Sequence, residues 1–402
     1  MKIRNPDKIP PPASSPSPPP LLRQLRELPR PIWILAAGMF VNRFGTFVVP
    51  FLTLYLTDRG HSEETIWLVF ASLAAGGMVA SVAGGWFADH IGRRHTMSLA
   101  LFTAAGSTLL LWRADTPAEW TATAFLCGLT RSLFSPASSP LLTDLTDAEN
   151  RVTAFALVRW AINLGFACGM AIGGALAKMH YGLLFVGDAL TSALFGVLVM
   201  TSLPHGVRTG RGESAGWLPA LRSMRDNRPF RALVFANVLA TLLFCQWGGA
   251  VSRFVLDLGG TERHYGWILA WNGLLIGLVE LPLSRWCGRF PKRLVVAAGF
   301  LICGAGLFVN QFAHAWPVVL VAMTVFTVGE MISMPVSGAY VGELSPEKMR
   351  GRYSGVMGLT WGFGNLTAIG GGLLLYRENP ALLWTGSLLL GIVAWFILWR
   401  AK

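Results

Sequence analysis

Charge is what this chain most conspicuously lacks. Only 13% of its 402 residues are Asp, Glu, Lys or Arg, 53% are hydrophobic, and mean hydropathy is +0.51. A water-soluble domain devotes about a quarter of its residues to charge, so too few charged groups remain here to coat a surface in water. Catalytic patterns are missing too. No Gly-x-x-x-x-Gly-Lys-[Ser/Thr] loop occurs, which argues against ATP hydrolysis. No His-Glu-x-x-His pattern and no Gly-x-Ser-x-Gly elbow is present, and no nucleophile–base set is visible, so the chain does not read as an enzyme. The five cysteines, Cys127, Cys168, Cys245, Cys287 and Cys303, lie in or beside apolar segments at no metal-ligand spacing. They read as small buried hydrophobes, with no metal and no disulfide framework expected.

What the chain does have is long apolar runs. A membrane-crossing helix needs roughly 20 apolar residues. Runs of that kind fall near 31–57, 64–88, 97–113, 119–143, 152–177 and 182–203, then near 229–256, 264–284, 294–312, 317–340, 353–376 and 381–399. The division predicts a proline-rich tail at 1–30, a six-helix bundle at 31–203, a linker at 204–228 and a second six-helix bundle at 229–402. In the linker, Trp217, Leu221 and Met224 share a face beside Arg222 and Arg225, the pattern of an interfacial helix.

The net charge of +12 would suit nucleic acid in a soluble protein, but its placement points elsewhere. With the tail in the cytoplasm, 24 of the 33 Lys and Arg fall on the cytoplasmic side. Five (Arg59, Arg113, Lys178, Arg263, Arg377) fall opposite, and four (Arg43, Arg131, Arg159, Arg253) lie inside spans. This is the positive-inside asymmetry of twelve spans with both termini cytoplasmic. The partner is therefore a lipid bilayer, not nucleic acid. A constant offset of 199 residues also superposes landmarks of the two halves: Asp58 and Gly60 on Asp257 and Gly259, Arg93-Arg94 on Lys292-Arg293, Pro136 on Pro335, Asp144 on Glu343, Arg151 on Arg350 and Gly165 on Gly364. Duplicated halves place a substrate site at their interface near the bilayer midplane.

After the second span runs Gly85-Trp86-Phe87-Ala88-Asp89-His90-Ile91-Gly92-Arg93-Arg94. It resembles the G-x-x-x-D-x-x-G-R-R signature of the major facilitator superfamily, and the resemblance extends over nearly all of residues 31–400. The resemblance implies an all-α integral membrane fold of twelve helices in two pseudo-symmetric bundles. It implies that Gly85, Asp89, Gly92, Arg93 and Arg94 form a latch that closes and releases the cytoplasmic side. The second copy, Ser284 to Arg293, keeps basic charge but has Gly288 where Asp89 stands. In the fifth span Gly165, Gly169 and Gly173 recur every four residues and form one packing stripe. The stripe is similar to the family's antiporter motif, with Met170 in place of its proline.

Charges inside spans are costly unless paired or wetted. Arg43 lies about twelve residues into the first span, Arg131 in the fourth and Glu330 in the tenth, and Arg131 and Glu330 are related by the 199 offset. The resemblance implies that the first, fourth, seventh and tenth helices line a central cavity. That assigns Asn42, Arg43, Arg131, Gln246, Trp247 and Glu330 to it, with both arginines facing Glu330. A carboxyl in such a place is pulled toward neutrality by desolvation and toward ionisation by a nearby arginine. Glu330 is therefore the first candidate for a proton carrier and Glu280 the second; a permanent Glu–Arg structural pair is the alternative. Asp188 reads as structural, a carboxylate at the start of the sixth span favoured by its helix dipole.

The expected function is secondary active transport of a small molecule by alternating access in the bacterial inner membrane. The drug-efflux branch of the family is the nearest likeness, implying proton-coupled export of amphipathic compounds. A proton-coupled importer of a sugar, peptide or organic acid is the rival, and a non-transporting sensor or scaffold is the second rival. A monomer is expected, with the proton gradient as driving force and no cofactor.

Overall fold

The computed structural model describes residues 25–135, 138, 141–142, 145–147, 151–204, 217–346 and 349–401, and among them regular structure is entirely helical. The proline-rich part of the tail, the repeat landmarks Pro136 and Asp144 and linker residues 205–216 lie outside the described residues. The first half comprises α1 (Arg30–Phe44), α2 (Val48–Asp58), α3 (Glu63–His90), α4 (Arg93–Arg113), α5 (Pro117–Ser132), α6 (Arg151–Met179) and α7 (Gly182–Ser202). Then come α8 (Trp217–Asp226), α9 (Arg228–Cys245), α10 (Ala250–Asp257), α11 (Glu262–Cys287), α12 (Lys292–Phe308), α13 (Trp316–Leu344), α14 (Arg350–Glu378) and α15 (Pro380–Arg400).

Helices therefore occupy all twelve expected positions. Eight spans among the described residues are long and apolar enough to cross a membrane, α1–α2 and α9–α10 each counting as one. The helices at the other four expected positions, α4, α5, α11 and α14, fall short of that measure, α5 being brief and the others richer in polar residues. Leu190, Leu194, Phe235, Leu278 and Leu389 are more than half exposed on the helix surfaces. Such a surface is stable only against lipid.

The first and seventh spans, read from the sequence as continuous, are both broken. α1 stops at Phe44 and α2 resumes at Val48; α9 stops at Cys245, a 3₁₀ turn covers Gln246–Gly248, and α10 resumes at Ala250. Under the 199 offset, Phe47 and Gln246 coincide, so the breaks lie at one depth in both halves. A break in a membrane helix frees backbone groups that must be satisfied by protein. The hydroxyl of Thr46 donates to Asn42 O (2.9 Å), and the Val48 N–H donates to Asp188 Oδ2 (3.2 Å). Gln246 Nε2 donates to Leu242 O and Ala368 O, and Thr53 Oγ1 donates to Gly248 O (2.7 Å). The Tyr265 hydroxyl sits 2.7 Å from Trp247 O and 3.3 Å from Pro50 O, touching both broken spans. The repeat also shows in the turns: Gly60 and Gly259 both hold positive φ, at 78° and 75°, which a side chain would oppose.

Burial sorts by face. On the face where the described residues begin and end (the terminal face), each half has a core of its own. One core joins Ile32, Met97, Leu141, Ala154 and Val199, all of the first half. Another joins Phe230, Val296, Tyr340, Tyr353 and Leu398, all of the second. On the far face the cores are shared. Phe47, Phe51 and Met170 pack with Trp247, Tyr265, Phe326 and Trp384, and Val48, Tyr55 and Trp120 pack with Cys245, Ile369 and Leu373. Trp67 Nε1 donates to Leu366 O (3.2 Å), and Arg377 lies 3.7 Å from Glu63. The halves are thus joined at the far face.

The linker helix α8 differs in detail from its expected face. Ala220 and Met224 are buried against the second half, whereas Leu221 points outward with Leu218 beside exposed Arg222 and Arg225. The hydroxyls of Ser223 and Tyr353 (2.9 Å) pin its inner side, which turns Leu221 away.

Candidate functional site

A cavity of about 320 Å³ opens within the first half, lined by α1, α4, α5, α6 and α7. Three arginines line it: Arg43, Arg131 and Arg159. Polar side chains from Asn42, Thr46, Ser135, Ser138 and Ser192 share the wall with apolar ones such as Leu35, Phe134 and Phe155. No acid lines it among the described residues.

Each arginine is handled differently. Arg131 Nη2 lies 2.5 Å from Asp188 Oδ1 and 3.4 Å from Thr108 Oγ1. Asp188 is nearly fully buried and also caps α2 through Val48. This corrects two expectations. Arg131 meets Asp188 of its own half rather than Glu330. Asp188 stands in the second turn of α7, beyond the one-turn reach of that helix's dipole; its carboxylate serves the start of α2 instead. Arg159 makes an ion pair with Glu280, so α6 of the first half is tied to α11 of the second. Arg43, in the last turn of α1, is exposed and has no hydrogen-bond or ion-pair partner among the described residues. It lies within Coulombic reach of both Arg131 and Asp188.

The second half holds the other candidates. Asn272 Nδ2 donates to Glu330 Oε2 and to Thr327 Oγ1, both at 2.9 Å. Glu330 is within Coulombic reach of Glu280 and Arg159, so the two proton-carrier candidates and one arginine form a loose cluster spanning the halves. Gln246 and Trp247 do not line the cavity. Gln246 is spent on Leu242 O at the end of α9 and on Ala368 O of α14, and Trp247 packs against Phe326 in the far-face core while its carbonyl receives Tyr265. Asn42 does line it, donating to Ser192 Oγ (3.2 Å). Among the described residues no group of three or more His, Cys, Asp or Glu could hold a metal.

The glycine stripe of α6 lies against α1. A Cβ on Gly165 would stand 2.5 Å from Phe40 O, one on Gly169 would collide with Phe44 O, and one on Gly173 would touch Phe47 and Phe51. The next residue, Gly174, faces Glu262 and Gly266 of α11, so α6 meets both halves through missing side chains. Of the expected latch, Gly92 caps α4 with φ of 90°, and Arg94 Nη1 donates to Leu203 O (3.1 Å). Its repeat partner Arg293 donates to Ala401 O, and Lys292 Nζ meets Glu343 Oε2 at 2.6 Å. Arg94, Arg293 and Lys292 therefore bind carbonyls or acids of their own half. Arg93 is also partnered. The side chains at Gly85 and Asp89 lie outside the described residues.

Sequence reasoning missed Asp188 as the partner of Arg131, the pairing of Glu280 with Arg159, and Asn272. One signal was available: a buried arginine needs an acid, and Asp188 is the acid of the first half set furthest from any loop.

Known proteins resemble this chain in sequence and in fold. The chain matches the description Major Facilitator Superfamily over residues 35–256 and 248–402. It is 26% identical to a "Na(+), Li(+), K(+)/H(+) antiporter" of Planococcus maritimus, covering 83% of this chain and 86% of that one. It is 24% identical to "Multidrug resistance protein MdtH" of Aeromonas hydrophila, over 93% and 94% respectively. In fold it is similar to a peptide transporter POT in complex with sulfate (TM-score 0.76, 16% identity, 96% of this chain and 99% of that one). It is likewise similar to a D-xylose-proton symporter (TM-score 0.73, 16% identity, 95% and 98%).

Proposed function

Because this chain belongs to the Major Facilitator Superfamily, a family of membrane transporters and not of enzymes, we propose that it exports amphipathic small molecules in exchange for protons by alternating access. The observation that carries this reading is the division of cores, shared on the far face and separate on the terminal face. Halves joined at one face and independently packed at the other can rock about their junction. With the arginine-rich terminal face in the cytoplasm, the cavity among Arg43, Arg131 and Arg159 is reached from inside the cell. Both termini are then cytoplasmic, the protein lies in the bacterial inner membrane, and a monomer suffices.

Glu330 and Glu280 are the proton carriers of this reading. Glu330 is bonded through Asn272 rather than neutralised by an arginine, so its proton can leave without breaking an ion pair. Glu280 has Arg159 as its partner, and protonation of Glu280 would loosen this charged tie between α6 and α11. Coupling then needs no cofactor beyond the proton gradient. Domain boundaries near 203 and 229, and a latch built on Gly85, Asp89, Gly92, Arg93 and Arg94, belong to the same proposal.

The test is flux in inverted vesicles acidified inside. An antiporter accumulates its compound as protons leave, whereas a symporting importer does not. Glu330→Gln should abolish the response to the gradient and leave the folded protein intact. Accumulation unchanged in that variant would remove Glu330 from the coupling. The importer remains the second reading because the D-xylose-proton symporter shares the fold.

A further inference from the structure

Of the three arginines that line the cavity, Arg43 alone has no acid among the described residues. Arg131 has Asp188 and Arg159 has Glu280. Arg43 has neither acid nor carbonyl within hydrogen-bond range among the described residues, yet it stands midway along the first span. The break after Phe44 places it at a helix C-terminus, where the dipole offsets part of one positive charge. That partial offset supplies no directed acceptor for five N–H donors. Such a group is retained in a membrane only where water or a ligand reaches it.

The cavity supplies that access and defines what fits. Its lining is positive by one charge once the two ion pairs are cancelled. Its hydroxyls and amide, from Asn42, Ser135, Ser138 and Ser192, sit on the same wall system as Leu35, Phe134 and Phe155. A volume of about 320 Å³ is at the small end of ligand pockets. A cation entering would face an uncancelled guanidinium; a neutral solute would leave it uncancelled. We infer that Arg43 anchors the acidic head of an amphipathic monoanion, an aryl carboxylate being the simplest case, whose apolar body lies against Leu35, Phe134 and Phe155. A guanidinium holds a carboxylate by two parallel bonds, fixing orientation as well as charge. The inference rests on reading this cavity as the solute site and names the class of solute.

Ser135→Cys provides a reporter in the cavity wall, read against the background of the five native cysteines. Purified protein in nanodiscs is treated with a sulfonatoethyl and a trimethylammonioethyl methanethiosulfonate, each rate being normalised to a free thiol. The anionic reagent should win by tenfold or more. Arg43→Gln should erase that preference and Arg43→Lys should keep most of it. Naphthalene-2-carboxylate should slow the labelling at least threefold, whereas naphthalene-2-carboxamide and the naphthylmethylammonium ion at equal concentration should not. The comparison of these three compounds needs no Arg43 variant, so it decides the matter even if Arg43→Gln fails to fold. Equal protection by the carboxamide, a faster cationic reagent, a preference indifferent to Arg43→Gln, or no labelling at position 135 would each overturn the inference. Carboxylate protection without gradient-driven flux would keep the anion site and remove the transport reading. Flux of neutral compounds without carboxylate protection would do the reverse.

Discussion

The two faces of the molecule are built on opposite principles. On the far face Phe51, Tyr265, Trp247 and Phe326 belong to one core, and side chains of one half bond the broken backbone of the other. On the terminal face the halves keep separate cores, and their basic groups, Arg94 and Arg293, bond the ends of their own last helices. Lipid offers apolar side chains no penalty, so helices in a membrane associate by close packing and polar bonds. The far-face junction is therefore a matter of fit and a few hydrogen bonds, which is what a reversible junction requires.

The comparison can be broken most severely inside the first half. Asp188→Asn would leave Arg131 without its acid and weaken the cap on Val48. Losing one partner of a buried pair costs on the order of 3–5 kcal/mol. The variant should show a large fall in thermal stability in detergent, most of it recovered when Arg131→Met is added. A fall that Arg131→Met did not reverse would show that Asp188 acts mainly through α2.

Packing of α6 on α1 comes next. Gly165→Leu must push α1 away at Phe40, at a cost of about 1–3 kcal/mol. Gly106→Ala, which meets nothing within 4 Å, should be neutral or gain about 0.5–1 kcal/mol from helix propensity. Equal melting temperatures for the two variants would contradict the stripe. The far-face junction should be softer. Each interhelical bond in a membrane averages about 0.6 kcal/mol, so Tyr265→Phe with Thr53→Val should shift the balance between states by roughly three- to tenfold. Labelling of a cysteine placed at Thr57, near the far-face end of α2, would report it. Glu280→Gln should cost little stability. Arg159 is half exposed, so the pair contributes under about 1 kcal/mol to stability, and the change should appear in flux more than in melting.

The membrane architecture was legible because hydropathy and the Lys/Arg distribution report directly on lipid and sidedness. The repeat was legible because turns such as Gly60 and Gly259 demand one residue type at one φ. The breaks in α1–α2 and α9–α10 were not legible. Phe44 to Val48 is nearly as apolar as its surroundings; α1 ends at a Gly45 cap, and the restart of α2 is held by Asp188, 140 residues away. The site was legible in kind and not in pairing. Position inside apolar spans singled out Arg43, Arg131, Glu280 and Glu330, but which acid meets which arginine depends on helix rotation, which sequence spacing leaves open. Gln246 and Trp247 were drawn into the cavity for the same reason, although the break in their span turns them toward the far-face core.

The rocking of the two halves is tested most directly by spin-label distances in nanodiscs. One pair, Asp115→Cys with Glu378→Cys, crosses the far face; another, Ser202→Cys with Arg289→Cys, crosses the terminal face. Acidifying the sample or adding naphthalene-2-carboxylate should lengthen the first distance as it shortens the second, and Glu330→Gln should cancel the response to acid. Two distances that stay fixed, or that lengthen together, would contradict an alternation about the far-face junction.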